Sequence, residues 1–174
     1  MKLFKTIKDA DVGSLIEDPE LFKDRKASRA VVFDNEGKVA LFHSTVKHYH
    51  KLPGGGVEDG EDLEVALRRE LLEEIGCVVK NIREVGIIEE YRNKFTLHQF
   101  SYCFVAEVEG EKGAPHLEKD EIAEGFITEW LDLDAAIKTL EDEKEVEDYQ
   151  GKFIQIRDLI FLKEVQKLVS LSKV

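Results

Sequence analysis

The chain has 174 residues, the size of one ordinary domain. Hydrophobic residues make up 43% of it and charged residues 36%, which excludes an integral membrane protein and a chain too polar to bury a core. The 25 lysine and arginine residues and 37 aspartate and glutamate residues give a net charge of −12, so no binding to duplex nucleic acid or to a membrane surface is expected. An anionic substrate would therefore need a metal ion or a few well-placed cations.

Neither a signal peptide nor a membrane span is expected. Lysines interrupt the first residues, and the longest stretch free of acidic and basic side chains, residues 95–106, is shorter than the roughly 18 apolar residues of a spanning helix. Cys77 and Cys103 form no CxxC pair. Two buried free thiols and a cytoplasmic location are therefore expected.

Strands and turns are predicted first along the chain. Residues 28–33 and 38–43 predict two strands joined by a turn at residues 34–37, which together form a β-hairpin. A short run, residues 48–52, is followed by a proline and three glycines, residues 54–56. Because glycine lacks a side chain, these residues end regular structure and allow a ligand to approach the backbone closely.

A helix follows over residues 62–75, with Asp62 as N-cap and Gly76 as the stop. The second half of the chain continues the mixture of strands and helices. In chain order it predicts an antiparallel pair of strands at 85–91 and 95–108, a polar loop at 109–124, a strand at 126–131, a short helix after Asp132 ending near Leu140, a solvated charged connection at 141–148, and a helix at 152–171.

The helix over residues 62–75 has an unusual acidic side. Counted at 100° per residue, an apolar side begins at Leu63 and Leu67 and continues through Glu70 and Glu74, with Glu73 beside it. Burial of clustered like charges is costly unless a cation accompanies them. Oxygen ligands at this spacing suit Mg²⁺ or Mn²⁺. The alternative is an exposed acidic surface paired with neighbouring arginines, which is common on helices.

The surrounding sequence favours the metal site. Residues 55–77 read GGVEDGEDLEVALRRELLEEIGC, which matches Gly, five residues, Glu, seven residues, Arg-Glu, apolar, any, Glu-Glu, any, Gly, apolar. This pattern is the Nudix box, and the chain resembles the Nudix (MutT-like) hydrolase family. The one departure is Cys77 at the final apolar position. The resemblance extends over residues 28–140, from the hairpin to the strand containing Glu129-Trp130-Leu131.

The resemblance implies an α/β Nudix fold, an α/β/α sandwich with a mixed β-sheet. We expect one domain over residues 1–174, with the box at 55–77. An N-terminal extension, residues 1–27, and a C-terminal helix, residues 152–171, would be attached to it and could form a homodimer interface.

The resemblance also implies roles for particular residues. Glu73 and Glu74 are expected to be the principal metal ligands, and Glu70 a ligand or a general base. Further roles are expected for residues around them: a metal-ligand carbonyl at Gly54, diphosphate contacts at Gly54, Gly55 and Gly56, a place at the edge of the metal site for Glu61, and orientation of the carboxylates by Arg69. In some relatives a base lies in a later loop, where the candidates here are Glu118, Asp120, Glu121 and Glu124.

Other residues are weaker candidates. His43, His48 and His50 precede the glycines, but without a further Cys or His set they are expected to be hairpin residues rather than zinc ligands. Aromatic residues in strands are usually core, yet some side chains could contact a base or a phosphate. These are Tyr49, Tyr91, Arg92 and Phe95.

Hydrolysis of a pyrophosphate bond in a nucleoside diphosphate linked to another moiety is the leading interpretation, with metal ions holding the anion. The alternative is a Nudix-fold module that only binds a nucleotide as a sensor. A third possibility is isomerase chemistry on an isoprenoid diphosphate, which Cys103 and Trp130 do not positively support. The variable loops that select the substrate leave the identity of the second moiety open.

Overall fold

The computed structural model describes residues 1–143 and 146–171 of the chain. In this part of the chain it contains eight strands and four α-helices. The strands are β1 (Leu3–Ile7), β2 (Lys23–Phe33), β3 (Val39–Ser44), β4 (Tyr49–Lys51), β5 (Gly54–Gly56), β6 (Val79–Arg92), β7 (Leu97–Val108) and β8 (Phe126–Leu131). The helices are α1 (Leu63–Ile75), α2 (Lys119–Ala123), α3 (Leu133–Asp142) and α4 (Tyr149–Leu171).

The strands form one mixed sheet. Its main path runs β1, β6, β7, β2, β3, β4, while β5 pairs with β2 and β8 pairs with β3. The β1–β6 and β2–β7 pairs are parallel, whereas β6 runs antiparallel to β7 and β3 antiparallel to β2, β4 and β8. Because β2 pairs with both β7 and β5, it lies beside the three glycines at the centre of the molecule.

Helices cover both faces of this sheet because successive strand residues point to opposite sides. Val31 of β2 belongs to a core cluster with Phe153 of α4, on the side covered by α3 and α4. Its neighbours Ala30 and Val32 belong to a second cluster with Leu71 of α1. The predicted α/β/α sandwich with a mixed sheet is therefore confirmed.

The elements with local sequence signals form as predicted. Asp62 accepts hydrogen bonds from the backbone N–H groups of Glu64 and Val65 through one side-chain oxygen, at 2.9 and 2.8 Å, and so caps α1. The helix ends at Gly76, which has a left-handed φ of 65°. Both cysteines are free and buried, also as predicted.

Several boundaries differ from the prediction, and β6 begins at Val79 rather than at residue 85. The segment before residue 28 contributes β1 and the first five residues of β2 to the sheet, and the polar loop at 109–124 contains the short helix α2. The last helix begins at Tyr149 rather than near residue 152, and part of the predicted connection at 141–148 lies outside the described residues. No helix in the described part of the chain is both long and apolar enough to cross a membrane.

Candidate active site

The glycine strand β5 lies directly against the acidic side of α1. Gly54 has a φ of 127°, and a Cβ there would lie 2.3 Å from the carbonyl oxygen of Ser28, so only glycine fits. A Cβ on Gly55 would lie 2.3 Å from a carboxylate oxygen of Glu70. The backbone of β5 and the carboxylates of α1 therefore meet with no side chain between them.

Glu74 is the buried member of the carboxylate group. Its side chain is 3% exposed, and its two oxygens accept hydrogen bonds from the backbone N–H of Gly54 at 2.5 Å and from Nζ of Lys51 at 2.7 Å. Burial raises the pKa of the Glu74 carboxyl to about 7, although the Lys51 ammonium opposes that shift. Glu74 is thus a buried carboxylate at β5, and a neighbouring cation stabilises its ionised form.

Arg69 connects the other carboxylates. Its guanidinium donates to Glu61 at 2.9 and 3.0 Å, to Glu70 at 2.8 Å, to Glu73 at 3.3 Å and to the carbonyl of Gly56 at 3.0 Å. Hydrogen bonds from Arg69 hold the pKa of Glu61 down at about 2, whereas burial raises the pKa of Glu70. Three of the predicted metal-site residues, Glu61, Glu70 and Glu73, are therefore in direct contact with the predicted orienting arginine.

A cavity of about 210 Å³ opens over this group. Glu70, Glu73 and Glu74 form one wall, and Glu118 and Glu121 at α2 form another. Two of the four loop acids proposed as a base thus line the same cavity as the carboxylates of α1.

The other two loop acids face a neighbouring cavity. Asp120 and Glu124 line it, together with Glu121, which lines both cavities. Glu124 accepts a hydrogen bond from Nζ of Lys47 at 2.6 Å. Its carboxylate is therefore already paired with a cation.

This second cavity, of about 220 Å³, is basic. It shares Arg25, Lys51 and Gly55 with the first, so the two spaces adjoin. Its cationic side chains come from β2, the β3–β4 turn, β4, β6 and α4: Arg25, Arg29, Lys47, Lys51, Arg92 and Arg157. The sequence alone predicts only Arg92 among them as a candidate phosphate contact, because the others are distant in sequence and carry no motif.

The carboxylate group fits a hard divalent cation. Its donors are oxygens only, one of its members is buried, and the adjacent backbone of β5 lies so close that a Cβ on Gly55 would collide with Glu70. The Lys51 ammonium lies on Glu74, which shows that this position favours positive charge.

The candidate histidines form a different cluster. His43 and His50 stack with ring centroids 3.9 Å apart, and together with Glu129 they place ligand atoms within 4.8 Å of one another. Nδ1 of His43 lies 2.9 Å from Glu129, and Nδ1 of His50 bonds to Glu143. Hydrogen bonds to carboxylates therefore account for both rings, while His48 is not part of the group that could hold an ion.

The remaining candidates lie elsewhere. Cys103 is fully buried, which raises the pKa of its thiol, and neither Cys103 nor Trp130 lines the two cavities. Tyr91 stacks on His98, and Phe95 packs against Tyr149. Of the weaker aromatic candidates, only Tyr49 lines the basic cavity.

Comparison with known proteins agrees with this geometry. The model of the NUDIX domain matches residues 23–155. The chain is 34% identical over 132 residues to a mouse diphosphoinositol polyphosphate phosphohydrolase 3-alpha, covering 74% of this chain and 76% of that protein. It is 35% identical over 95 residues to an RNA pyrophosphohydrolase of Bartonella henselae, covering 49% of each.

The fold is also similar to that of solved structures. A MutT protein from Bacillus halodurans matches with a TM-score of 0.53 and 25% identity, over 66% of this chain and 72% of that one. The predicted family and the predicted enzyme class are both confirmed. The chain belongs to the Nudix hydrolase family.

Proposed function

We propose that the chain is a divalent-metal-dependent hydrolase that cleaves the pyrophosphate bond of a nucleoside diphosphate linked to another moiety. The observation that carries the proposal is the contact between the carboxylates of α1 and the side-chain-free backbone of β5. Gly54 donates to Glu74, and Gly55 has no space for a Cβ against Glu70. With no side chain on β5, the backbone beside the carboxylate group would be accessible to a diphosphate.

Mg²⁺ or Mn²⁺ would be held by Glu73 and Glu74, with Glu70 as a third ligand or as the base and the Gly54 carbonyl as a further ligand. Glu61 would lie at the edge of the site. When bound, the ion supplies positive charge that offsets the phosphate oxygens during displacement. This charge resolves the difficulty of binding an anion beside several carboxylates in a chain of net charge −12.

The chain's own residues account for the other requirements. Arg69 holds Glu61, Glu70 and Glu73 in fixed positions, which prepays the entropy of arranging them. The backbone of residues 54–56 would receive the diphosphate. A water molecule attacking phosphorus needs a base, and among the loop acids Glu121 is the first choice because it lines both cavities.

The rest of the substrate would occupy the basic cavity, which adjoins the carboxylates. The names of the mouse and Bartonella henselae relatives refer to hydrolysis of diphosphoinositol polyphosphate and of RNA pyrophosphate. Both names describe cleavage of a phosphoanhydride on a strongly anionic molecule, which agrees with the reaction proposed here. The two buried free thiols agree with a cytoplasmic location.

The test is product analysis by chromatography. The purified chain is incubated with a panel of nucleoside diphosphate derivatives in Mg²⁺, in Mn²⁺ and in chelator. We expect cleavage only with metal, and a loss of about 10²–10³ in rate for Glu73→Gln and for Glu74→Gln. Glu64→Gln is the matched control, because Glu64 lies on the exposed side of α1 and pairs with Arg68.

A different result would favour the sensor module. If no compound is cleaved, yet one raises the melting temperature as a ligand of the native state must, the chain binds a nucleotide without hydrolysing it. Cleavage that persists in chelator, or in both α1 variants, would contradict the metal-dependent mechanism.

A further inference from the structure

Six cationic side chains line the basic cavity, together with the carboxylates of Asp120, Glu121 and Glu124. Four of its six cations have a carboxylate partner: Lys47 with Glu124, Lys51 with Glu74, Arg92 with Glu90, and Arg157 with Asp158. Within residues 1–143 and 146–171, Arg25 and Arg29 have none. Arg25 donates only to the neutral amide of Gln99, at 2.9 Å.

Arg29 is the more informative of the two. It is 4% exposed, and within the described residues its side chain forms no hydrogen bond or ion pair. Its Nε is buried without a partner, as is the Nε of Arg92. Buried polar groups are nearly always hydrogen-bonded, and a buried charge without a partner is strongly unfavourable. A buried guanidinium that lines a cavity and has no partner indicates that a ligand supplies the missing hydrogen-bond acceptor and negative charge.

The surrounding charges do not cancel Arg29. Arg29 lies beside a buried ionic network: the charges of Arg157, Glu90 and Asp158 act on it, and Glu90 in turn pairs with the buried Arg92. Each of these carboxylates is already engaged, because Glu90 accepts from Arg92, and Asp158 accepts from Arg157 at 2.7 and 3.0 Å. Three buried cations therefore face two buried anions, and the excess positive charge lies at Arg29.

The position of Arg29 relates this charge to the active site. In the sheet, Arg29 is paired in register with Gly54, and Ala27 with Gly56. Arg25 reaches over Gly56, where its Nη2 would lie 2.8 Å from an added Cβ. Both arginines thus extend from β2 beside the glycine backbone. Arg29 lines only the basic cavity of the two, whereas Arg25 also lines the carboxylate cavity.

We propose that Arg29 and Arg25 bind a second phosphate group of the substrate, one that is not part of the hydrolysed diphosphate. A phosphate accepts several charge-assisted hydrogen bonds, and the planar guanidinium group matches its oxygens. The cavity, at about 220 Å³, has room for such a group. This inference deepens the proposed function, since the phosphate is part of the substrate only if the carboxylate site hydrolyses the diphosphate beside it.

The experiment measures binding of inorganic phosphate by calorimetry, in chelator and at constant ionic strength. Without metal the carboxylates of α1 repel phosphate, so bound phosphate reports on the basic cavity. We expect saturable binding of one phosphate to the unmodified chain. Arg29→Met should weaken it at least about tenfold, because charge-assisted hydrogen bonds are lost.

Three further variants make the result specific. Arg68→Met removes an exposed arginine of α1 and should bind phosphate like the unmodified chain. Arg25→Met changes an exposed residue that carries little risk to folding, and should also weaken binding. Glu73→Gln should leave phosphate binding unchanged or tighter.

The inference is overturned if the unmodified chain shows no saturable binding, or if Arg29→Met and Arg25→Met both bind phosphate as tightly as Arg68→Met does. Weaker binding by Glu73→Gln would also overturn it, since removal of a neighbouring negative charge cannot weaken a phosphate bound in the basic cavity. The phosphate titration involves no metal and no turnover. If the substrate panel shows no hydrolysis, the proposed function fails, while the phosphate titration still reports separately on the basic cavity.

Discussion

At the scale of single residues, Arg69 has the widest influence on the active site. One guanidinium contacts three carboxylates and one backbone carbonyl, which come from α1, β5 and the loop between them. A planar group with five donors can hold this arrangement, whereas the single ammonium of lysine cannot. Arg69 is therefore a positioning residue, and its effect on the reaction passes through the carboxylates.

The first prediction concerns this role. Arg69→Lys keeps the positive charge but loses the planar guanidinium group and its several donors. We therefore expect kcat and Mg²⁺ affinity to fall by about 10–100-fold, as for other residues that hold metal ligands in place without binding the metal. Arg68→Lys is the matched control, since the Arg68 carboxylate contact is to exposed Glu64 alone. Steady-state kinetics and a Mg²⁺ titration check both quantities. Equal effects of the two variants would mean that the geometry of Arg69 is not used.

The second prediction follows from the raised pKa of Glu74. An ionised carboxylate binds Mg²⁺, so below a pKa of about 7 the proton competes with the metal, and above it the competition disappears. We expect the apparent Mg²⁺ affinity to fall about fivefold from pH 7 to pH 6 and to level off above pH 8. Calorimetry in buffers of different ionisation enthalpy would count the released proton. An affinity independent of pH between 6 and 8 would contradict the assignment.

The third prediction separates two reasons why a position requires glycine: a positive φ, and the lack of space for a Cβ. Gly54→Ala would place a Cβ 2.3 Å from a backbone oxygen, while Gly60 has a φ of +88° but open space around it. Gly60→Ala therefore measures the cost of the backbone conformation alone. We expect Gly54→Ala to lower the free energy of unfolding by about 3 kcal/mol more than Gly60→Ala does, because backbone atoms must move. Urea unfolding of both variants decides this, and equal losses would rule out the collision.

At the scale of elements, α1 is stabilised at both ends by its own sequence. Asp62 caps two backbone N–H groups, and Gly76 ends the helix in a left-handed conformation. The cap fixes where the helix begins, and hence where Glu70, Glu73 and Glu74 face β5. A local signal at Asp62 thus determines the register of residues two and three turns away.

The fourth prediction tests that cap. Asp62→Ala should reduce the free energy of unfolding by about 1 kcal/mol, because two N–H groups lose their acceptor. Asp62→Asn, which retains an oxygen acceptor, should lose much less. Thermal or urea unfolding gives the values. If the two variants lose stability equally, the side chain of Asp62 acts through its charge and not as a cap.

Sequence signals predicted the elements unequally well for a physical reason. The hairpin of β2 and β3, the helix α1 and the strand β8 depend on turns, caps and alternation within a few residues. Strand β1 instead pairs in parallel with β6, about eighty residues later in the chain, and no local motif signals that pairing. Helix α2 has only five residues in a charged segment, so its side chains give no helical periodicity.

The same distinction applies to the candidate site. Glu70, Glu73 and Glu74 lie on one helix at fixed spacing, so the sequence alone places them on one face. The cations of the adjoining cavity come from separate strands, a turn and a helix, and only the folded sheet brings them together. A motif search finds the first group and misses the second.

At the scale of the whole molecule, a buried ionic network joins the sheet to α4. Glu90 of β6 is fully buried and accepts hydrogen bonds from Arg92 at 2.7 Å and from Gln99 and Ser101 at 2.8 Å. Arg157 of α4 lies 3.5 Å from it. Removal of one member of such a network leaves buried charges unpaired, which is strongly destabilising. The network therefore stabilises the packing of α4 on the sheet and forms the floor of the basic cavity.

The fifth prediction is a dependence of stability on pH. The buried arginines hold the pKa of Glu90 down at about 2, below its ordinary value of 4.5. A carboxylate with a lowered pKa stabilises the fold fully above pH 4.5, and this stabilisation is lost as the pH falls toward 2. At pH 7, Glu90→Gln should cost about 3 kcal/mol of unfolding free energy. Acid unfolding is the measurement: between pH 4.5 and 2 the unmodified chain should lose more stability than the variant, and parallel curves would contradict the prediction.

The most direct test of the central claim is the affinity of the chain for a divalent metal ion. The claim is that the α1 carboxylates at β5 form the cation site. Titration with Mn²⁺, followed by electron paramagnetic resonance, gives affinity without any assumption about substrate. We predict that the unmodified chain and Glu64→Gln bind Mn²⁺ alike, while Glu73→Gln and Glu74→Gln bind it at least about tenfold more weakly. Equal Mn²⁺ affinity in all four proteins would show that the cation site lies elsewhere.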